Sequence, residues 1–260
     1  MVHEIEEIAY LNDICDRLGM DTISAGSLCA FAIEASEMGR IKEKIGWGDV
    51  NKIAELLHDI ARKKGIGAIL SEGVRYAAKV WGMEEVAIHV NGLDPAGYDP
   101  RILKGMGLAY ATSDRGACHL RATFYKAELS GMIPSNQMEG KARLFLEFED
   151  RFNIHDSLVL CRFYRDIYWD WNHLSTIVET ATGLKLDEGP LRKISSNIQN
   201  ATRMFNLREG LTSKDDTLPK RFFDEPLGKE GKAIRREDLN RMLREYYELR
   251  GWSAEGVPKR

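Results

Sequence analysis

Two short stretches carry residues spaced for chemistry. One is His155-Asp-Ser-Leu-Val-Leu-Cys-Arg-Phe163, where Cys161 follows Asp156 by five positions and Arg162 comes directly after. The other, Asp16-Arg-Leu-Gly-Met-Asp-Thr22, lies 140 residues earlier. Aligned on Asp16 and Asp156, both run acid, two spacers, a small or branched residue (Gly19, Val159), an aliphatic one (Met20, Leu160) and a polar one (Asp21, Cys161). Such a pair suggests two halves gripping one object. Carboxylates in turns accept hydrogen bonds from the amino groups of a heterocycle, and they also cap helices. Residue type leaves both roles open.

A third cluster lies between Gly105 and Arg121, where Gly105, Gly107 and Gly116 bracket Asp114, Arg115, His119 and Arg121. It reads as a glycine-bracketed loop that approaches something. A histidine between two cations has its protonation disfavoured, which suits a general base or a neutral hydrogen-bond donor. The planar forks of Arg115 and Arg121 suit an anionic group. The Gly-x-Gly spacing is not a phosphate loop by itself, because no strand precedes it. His58, His89, His155 and His173 read as surface or structural residues.

These residues need elements to position them. The chain has 260 residues with 43% hydrophobic and 30% charged, enough for a sizeable core. A net charge of −3 with interspersed signs points to no nucleic-acid or membrane partner. No apolar run approaches the ~18 residues of a spanning helix, and the acidic N-terminus is unlike a signal peptide. The expected compartment is cytoplasmic. Cys15, Cys29, Cys118 and Cys161 are 14, 89 and 43 residues apart, so no two have the close spacing of a metal chelate.

Three- and four-residue apolar spacing predicts a helix over 3–18, ended by Gly19. Further helices are expected over 28–38, 50–64, 69–80, 142–152, 158–171, 174–182, 191–207 and 236–250. Val86–Val90 reads as a short strand, and 211–232 as a long polar loop. The fold expected is mainly α, multihelical, in two α-helical lobes, 1–90 and 91–260.

In combination, these motifs resemble the tungsten-containing aldehyde:ferredoxin oxidoreductases, over the C-terminal two-thirds of that family. The resemblance rests on Asp16 to Ser24, Asp99-Pro-Arg101, Gly105 to His119 and Asp156 to Cys161. It continues through Asn206-Leu-Arg-Glu-Gly210, Asp216 to Arg221 and Tyr246 to Trp252. It implies aldehyde oxidation to carboxylate at a tungsten held by two pterins (a molybdopterin-type bispterin cofactor). Electrons would leave through a [4Fe–4S] cluster to ferredoxin. Carried over, Asp16, Met20 and Asp21 serve the first pterin, and Asp156 and Leu160 the second. Cys161 is the distal cluster ligand and His119 the histidine near the metal, while Arg115 and Arg121 fall where cofactor phosphates need cations.

Departures from the family pattern carry expectations of their own. Val159 stands where the second turn should have glycine, so a left-handed backbone there would be strained. The family's N-terminal β-rich domain and its three-cysteine segment are expected on an N-terminal-half polypeptide or subunit, leaving this chain inactive alone. The alternative is a non-catalytic helical remnant or interaction subunit that binds no cofactor.

Overall fold

A computed structural model describes residues 1–229 and 231–259. Among the described residues the chain forms twelve α-helices, one short 3-10 helix and no strand, only isolated bridges. The mainly α reading holds. The chain divides into two compact units. The first is Met1–Ala96 with Arg115–Ala117 and Pro219–Asp224; the second is Gly97–Asp114, Cys118–Leu218 and Glu225–Arg260.

The first unit contains α1 (Ile5–Leu18), α2 (Thr22–Glu37), α3 (Val50–Arg62), α4 (Ile66–Leu70) and α5 (Val74–Trp81). Helix α2 buries Ala25, Leu28, Phe31, Ala32, Ile33 and Ala35, residues that lie on several faces. A helix apolar on most sides belongs in a core, and its small side chains let neighbours approach. Helix α3 presents Ile53, Leu56, Leu57 and Ile60 as one stripe, and all four are buried. Phe31 stacks on Trp81 at 5.5 Å, joining α2 to α5.

In the second unit lie α6 (Lys104–Thr112), α7 (Tyr125–Leu129), α8 (Lys141–Ser157), α9 (Trp171–Thr182) and α10 (Glu188–Arg208). Its centre is aromatic: Phe124 meets Phe145 and Phe148 edge-on at 5.6 and 5.4 Å. After α11 (Lys220–Asp224), which counts with the first unit, α12 (Arg236–Arg250) returns to the second. It is locked to α8 by Arg250, which pairs with Glu149 and Asp150, and by the Tyr246 hydroxyl donating to Glu149. Ser195 of α10 donates to Asp150 at 2.7 Å, so three helices share one buried network.

Several local expectations differ from the structure. Gly105 and Gly107 lie in α6 rather than in a loop. A side-chain carbon on Gly105 would fall 2.3 Å from the Phe124 ring, and one on Gly107 2.8 Å from Ile234. They are packing glycines, and only the segment after α6 is irregular. Val86–Val90 makes no strand because Val90 exchanges both backbone bonds with Leu93, closing a tight turn at Asn91-Gly92. The helix expected over 69–80 breaks at Gly73, and the one over 158–171 is replaced by a short 3-10 turn, Arg162–Tyr164. The 211–232 segment is anchored: Asp216 is buried and bonds both terminal nitrogens of Arg203, at 2.8 and 2.7 Å.

At the base of α6, Glu128 accepts the Gly105 N–H through both oxygens and pairs with Lys141 at 2.6 Å; both charged side chains are fully buried. Burial pushes the Lys141 ammonium below its ordinary value, against the upward pull of Glu128. Replacing Lys141 by Met leaves Glu128 buried without its cation, a loss of about 3–5 kcal/mol. Urea denaturation should show a lower midpoint by that amount; an unchanged midpoint would contradict the pair's assigned role.

Candidate cofactor-binding turns

The two turns that share a sequence pattern share a backbone. Helix α1 ends at Leu18, and Gly19 takes φ +68. The Gly19 N–H bonds to Asp16 O at 3.2 Å, and the Met20 N–H reaches back to Cys15 O at 2.9 Å. Helix α8 ends at Ser157, Val159 takes φ +56, and its N–H bonds to Asp156 O at 3.1 Å. The Leu160 N–H reaches back to His155 O at 3.0 Å. Both are helix stops in which a left-handed residue turns the chain and the next N–H closes a six-residue loop.

The following residue continues the match. Asp21 has φ −64 and ψ 124 and begins α2; Cys161 has φ −64 and ψ 129 and begins the 3-10 turn. Burial runs in parallel too. Cys15 and His155 are buried, Asp16 and Asp156 exposed, Met20 and Leu160 half-buried, and Asp21 and Cys161 exposed. The left-handed backbone expected at Val159 is present, on a side chain 89% exposed.

Each turn has its own electrostatics. In the first, Asp21 caps α2 through the Ser24 N–H at 2.8 Å, and Asp16 accepts from Asn12 at 3.0 Å. Asp94, which sequence reasoning passed over, is buried and bonded by Ser24, and burial raises its carboxyl above the ordinary range. Its Oδ1 has no hydrogen-bond partner among the described residues. Such a buried acceptor awaits a donor.

In the second turn Asp156 is held from two sides, by Arg162 at 2.8 Å and Arg121 at 3.1 Å. Arg121 also grips Asp114 at 2.8 Å. Burial works against the Arg121 charge but is overcome by Asp114 and Asp156, whereas burial dominates at Arg162 and lowers it. The Arg162 guanidinium lies 4.0 Å over the Phe152 ring, and its buried Nη1 lacks a partner among the described residues. Arg162 was adjacent in sequence and could have been found. Asp114 lies 42 residues from Asp156, and nothing local signals their meeting.

His119 is half-buried beside Tyr98, ring centres 5.8 Å apart, and Tyr98 stacks on Tyr125 at 3.8 Å. Tyr125 lines a cavity of about 690 Å³ with Phe148, Phe152, Trp169 and Leu129. His119, Arg121, Asp156, Leu160 and Cys161 belong to the second unit; Asp16, Met20, Asp21 and the exposed Arg115 belong to the first. Buried His155, with Nε2 3.0 Å from Tyr168 O, ties the segment after Cys161 to α8.

A family model, aldehyde ferredoxin oxidoreductase domains 2 and 3, matches residues 1–260. The chain belongs to the aldehyde ferredoxin oxidoreductase family. It is 35% identical to the tungsten-containing aldehyde ferredoxin oxidoreductase of Pyrococcus furiosus, over 99% of this chain and 45% of that protein. The corresponding Thermococcus kodakarensis protein is 33% identical, with the same two coverages, 99% and 45%. The chain therefore spans about 45% of these relatives' length, less than the two-thirds its motifs implied. A solved structure, the active-site complex BamBC of benzoyl coenzyme A reductase with 1,5-dienoyl-CoA, shares the fold at TM-score 0.67 and 20% identity. The match covers 92% of this chain and 43% of that one.

The chain's residues fit the family's two groups unequally. The exposed carboxylates, the buried Asp94 acceptor and the buried Arg162 donor supply what a polar heterocycle bonds to. A four-iron cluster does not fit. Among the described residues no three His, Cys, Asp or Glu side chains converge. Cys15, Cys29 and Cys118 are buried, and burial pushes the Cys29 thiol up to about 12, far from a ligating thiolate. Only Cys161 among the four is exposed.

The left-handed valine gives a test of the turns. Val159→Gly removes a strain of about 1–2 kcal/mol and adds back some chain entropy, for a net gain on the order of 1 kcal/mol. Gly19→Val should lose stability by a similar amount. Paired denaturation curves of opposite sign support equivalence of the turns; the same sign for both would contradict it.

Proposed function

We propose that this chain is the helical portion of a tungstopterin aldehyde:ferredoxin oxidoreductase, holding one pterin at each turn. The observation that carries the reading is the repeated backbone of Asp16–Asp21 and Asp156–Cys161 in a chain of this family. When bound, the tungstopterin supplies the two-electron oxidation of an aldehyde, with water, to a carboxylic acid. Asp16, Met20 and Asp21 orient the first ring system, and Asp156 and Leu160 the second. Arg162 and Arg121 fix the Asp156 carboxylate, and Arg121 with Arg115 adds positive charge for cofactor phosphates. His119 holds or takes up a proton at an imidazole nitrogen near the reacting carbonyl. Cys161 would supply one thiolate to an iron–sulfur cluster whose other ligands belong to the family's remaining domain, and such a cluster would provide the route for electrons to ferredoxin. The setting is cytoplasmic; no helix among the described residues is long and apolar enough to cross a membrane.

One observation favours the alternative of a helical interaction subunit without cofactor: both Asp156 oxygens already accept from arginines. Metal analysis separates the two. Purified alone, the chain should hold no stoichiometric iron and oxidise no aldehyde with viologen as acceptor. Produced together with a polypeptide carrying the remaining domain, it should gain tungsten, iron and activity. In that assembly His119→Ala should lose about 100-fold in kcat with metal content unchanged. A complete four-iron cluster on the isolated chain, or an assembly without tungsten, would sink the proposal.

A further inference from the structure

A cavity of about 690 Å³ opens in the second unit, within the ~300–1,000 Å³ usual for small-molecule sites. Its walls are aromatic: Tyr125 of α7, Phe148 and Phe152 of α8, and Trp169. Phe148 and Phe152 meet Trp169 edge-on at 4.5 and 5.7 Å. Leu129 and Met132 carry the apolar lining out to the surface, where they are 66% and 59% exposed. No described lining residue belongs to either turn.

Two donors in this lining are unmet. Thr123 is only 1% exposed, and its Oγ1 has no hydrogen-bond partner among the described residues. Its backbone is held at φ +43, a conformation rare for a branched side chain and concentrated at functional sites. Arg165 Nε is likewise buried without a partner among the described residues. The Arg165 Nη1 donates to the Arg162 carbonyl, a neutral group, at 2.7 Å, and no described carboxylate lies within ion-pair distance of Arg165. The other charges in the lining cancel: Lys126 Nζ bonds both oxygens of Asp166, at 2.7 and 2.6 Å. The surplus positive charge therefore sits on Arg165.

We propose that this cavity binds a small organic acid with an aromatic body and one carboxylate. Core packing accounts for the Phe148 and Phe152 rings, but it leaves two buried donors of one lining unmet, and such groups cost free energy until something accepts from them. Edge-on and offset ring contacts favour an aromatic body over an alkyl chain of equal area. A carboxylate supplies acceptor oxygens for Thr123 and Arg165, matches the single surplus charge and suits the planar guanidinium fork. An organic cation would meet Lys126 and Arg165 with the one acid of the lining already taken.

The test is calorimetric titration of naphthylacetate into the purified chain, with naphthylethylamine and acetate as comparisons. One saturable site is expected for naphthylacetate, and no saturable heat from the amine or from acetate. Arg165→Gln should weaken binding about tenfold, as loss of a charge-assisted bond does. Leu129→Trp, at an exposed position, should narrow the cavity and weaken binding by a similar factor. Circular dichroism checks the fold, and the Leu129 variant keeps the test decisive if the Arg165 variant unfolds. No saturable heat with naphthylacetate, equal binding of the amine or of acetate, or undiminished binding in either folded variant would overturn the proposal.

Discussion

A left-handed residue three positions after an aspartate reverses this chain twice, and the placement of the candidate residues depends on those reversals. Each ends a helix, turns a carboxylate outward and starts the next element on a polar side chain. At Gly19 the conformation costs little. At Val159 a branched side chain in the same region costs about 1–2 kcal/mol, which must be offset nearby. The offset is visible in Leu158 and Leu160, which pack against Ile154, Trp171, Leu174 and Leu191. His155 adds a bond to each side of the reversal, from its carbonyl to the Leu160 N–H and from its ring to Tyr168 O. Cys161 is thus presented by a strained turn that the α8–α9 core holds in shape.

Charge completes the second turn differently from the first. Asp16 and Asp21 are held by a side-chain amide and by a helix start, both neutral partners. Asp156 is held by two guanidinium groups, one of which also grips Asp114. That clamp fixes Asp156 while leaving the carboxylate partly open to solvent. Beside the turns, a buried donor on Arg162 and a buried acceptor on Asp94 have no hydrogen-bond partner among the described residues.

Much of this was legible in the residues. The 3.6-residue periodicity of α1, α3 and α10, the stop at Gly19 and the shared turn pattern need only local rules. The left-handed Val159 followed from the family resemblance, which expects glycine at that place in the second turn. What failed were features set by distant partners. Gly105 and Gly107 looked like a ligand-approaching loop because the sequence does not say that Phe124 and Ile234 pack on them. The apolar residues between Leu158 and Trp171 kept a helical spacing, yet Phe163 is 89% exposed and the helix is broken by the reversal. Asp114 stood in the glycine-bracketed cluster, but its link through Arg121 to Asp156 was not legible, and Asp94 was missed because its partner Ser24 lies far along the chain.

Each reversal is proposed to seat one pterin. A crystal structure of the metal-loaded assembly tests this most directly. It should place one ring system against Asp16, Met20 and Asp21, the other against Asp156 and Leu160, and Cys161 Sγ on an iron. Density for the group at one turn only, or away from both, would contradict it.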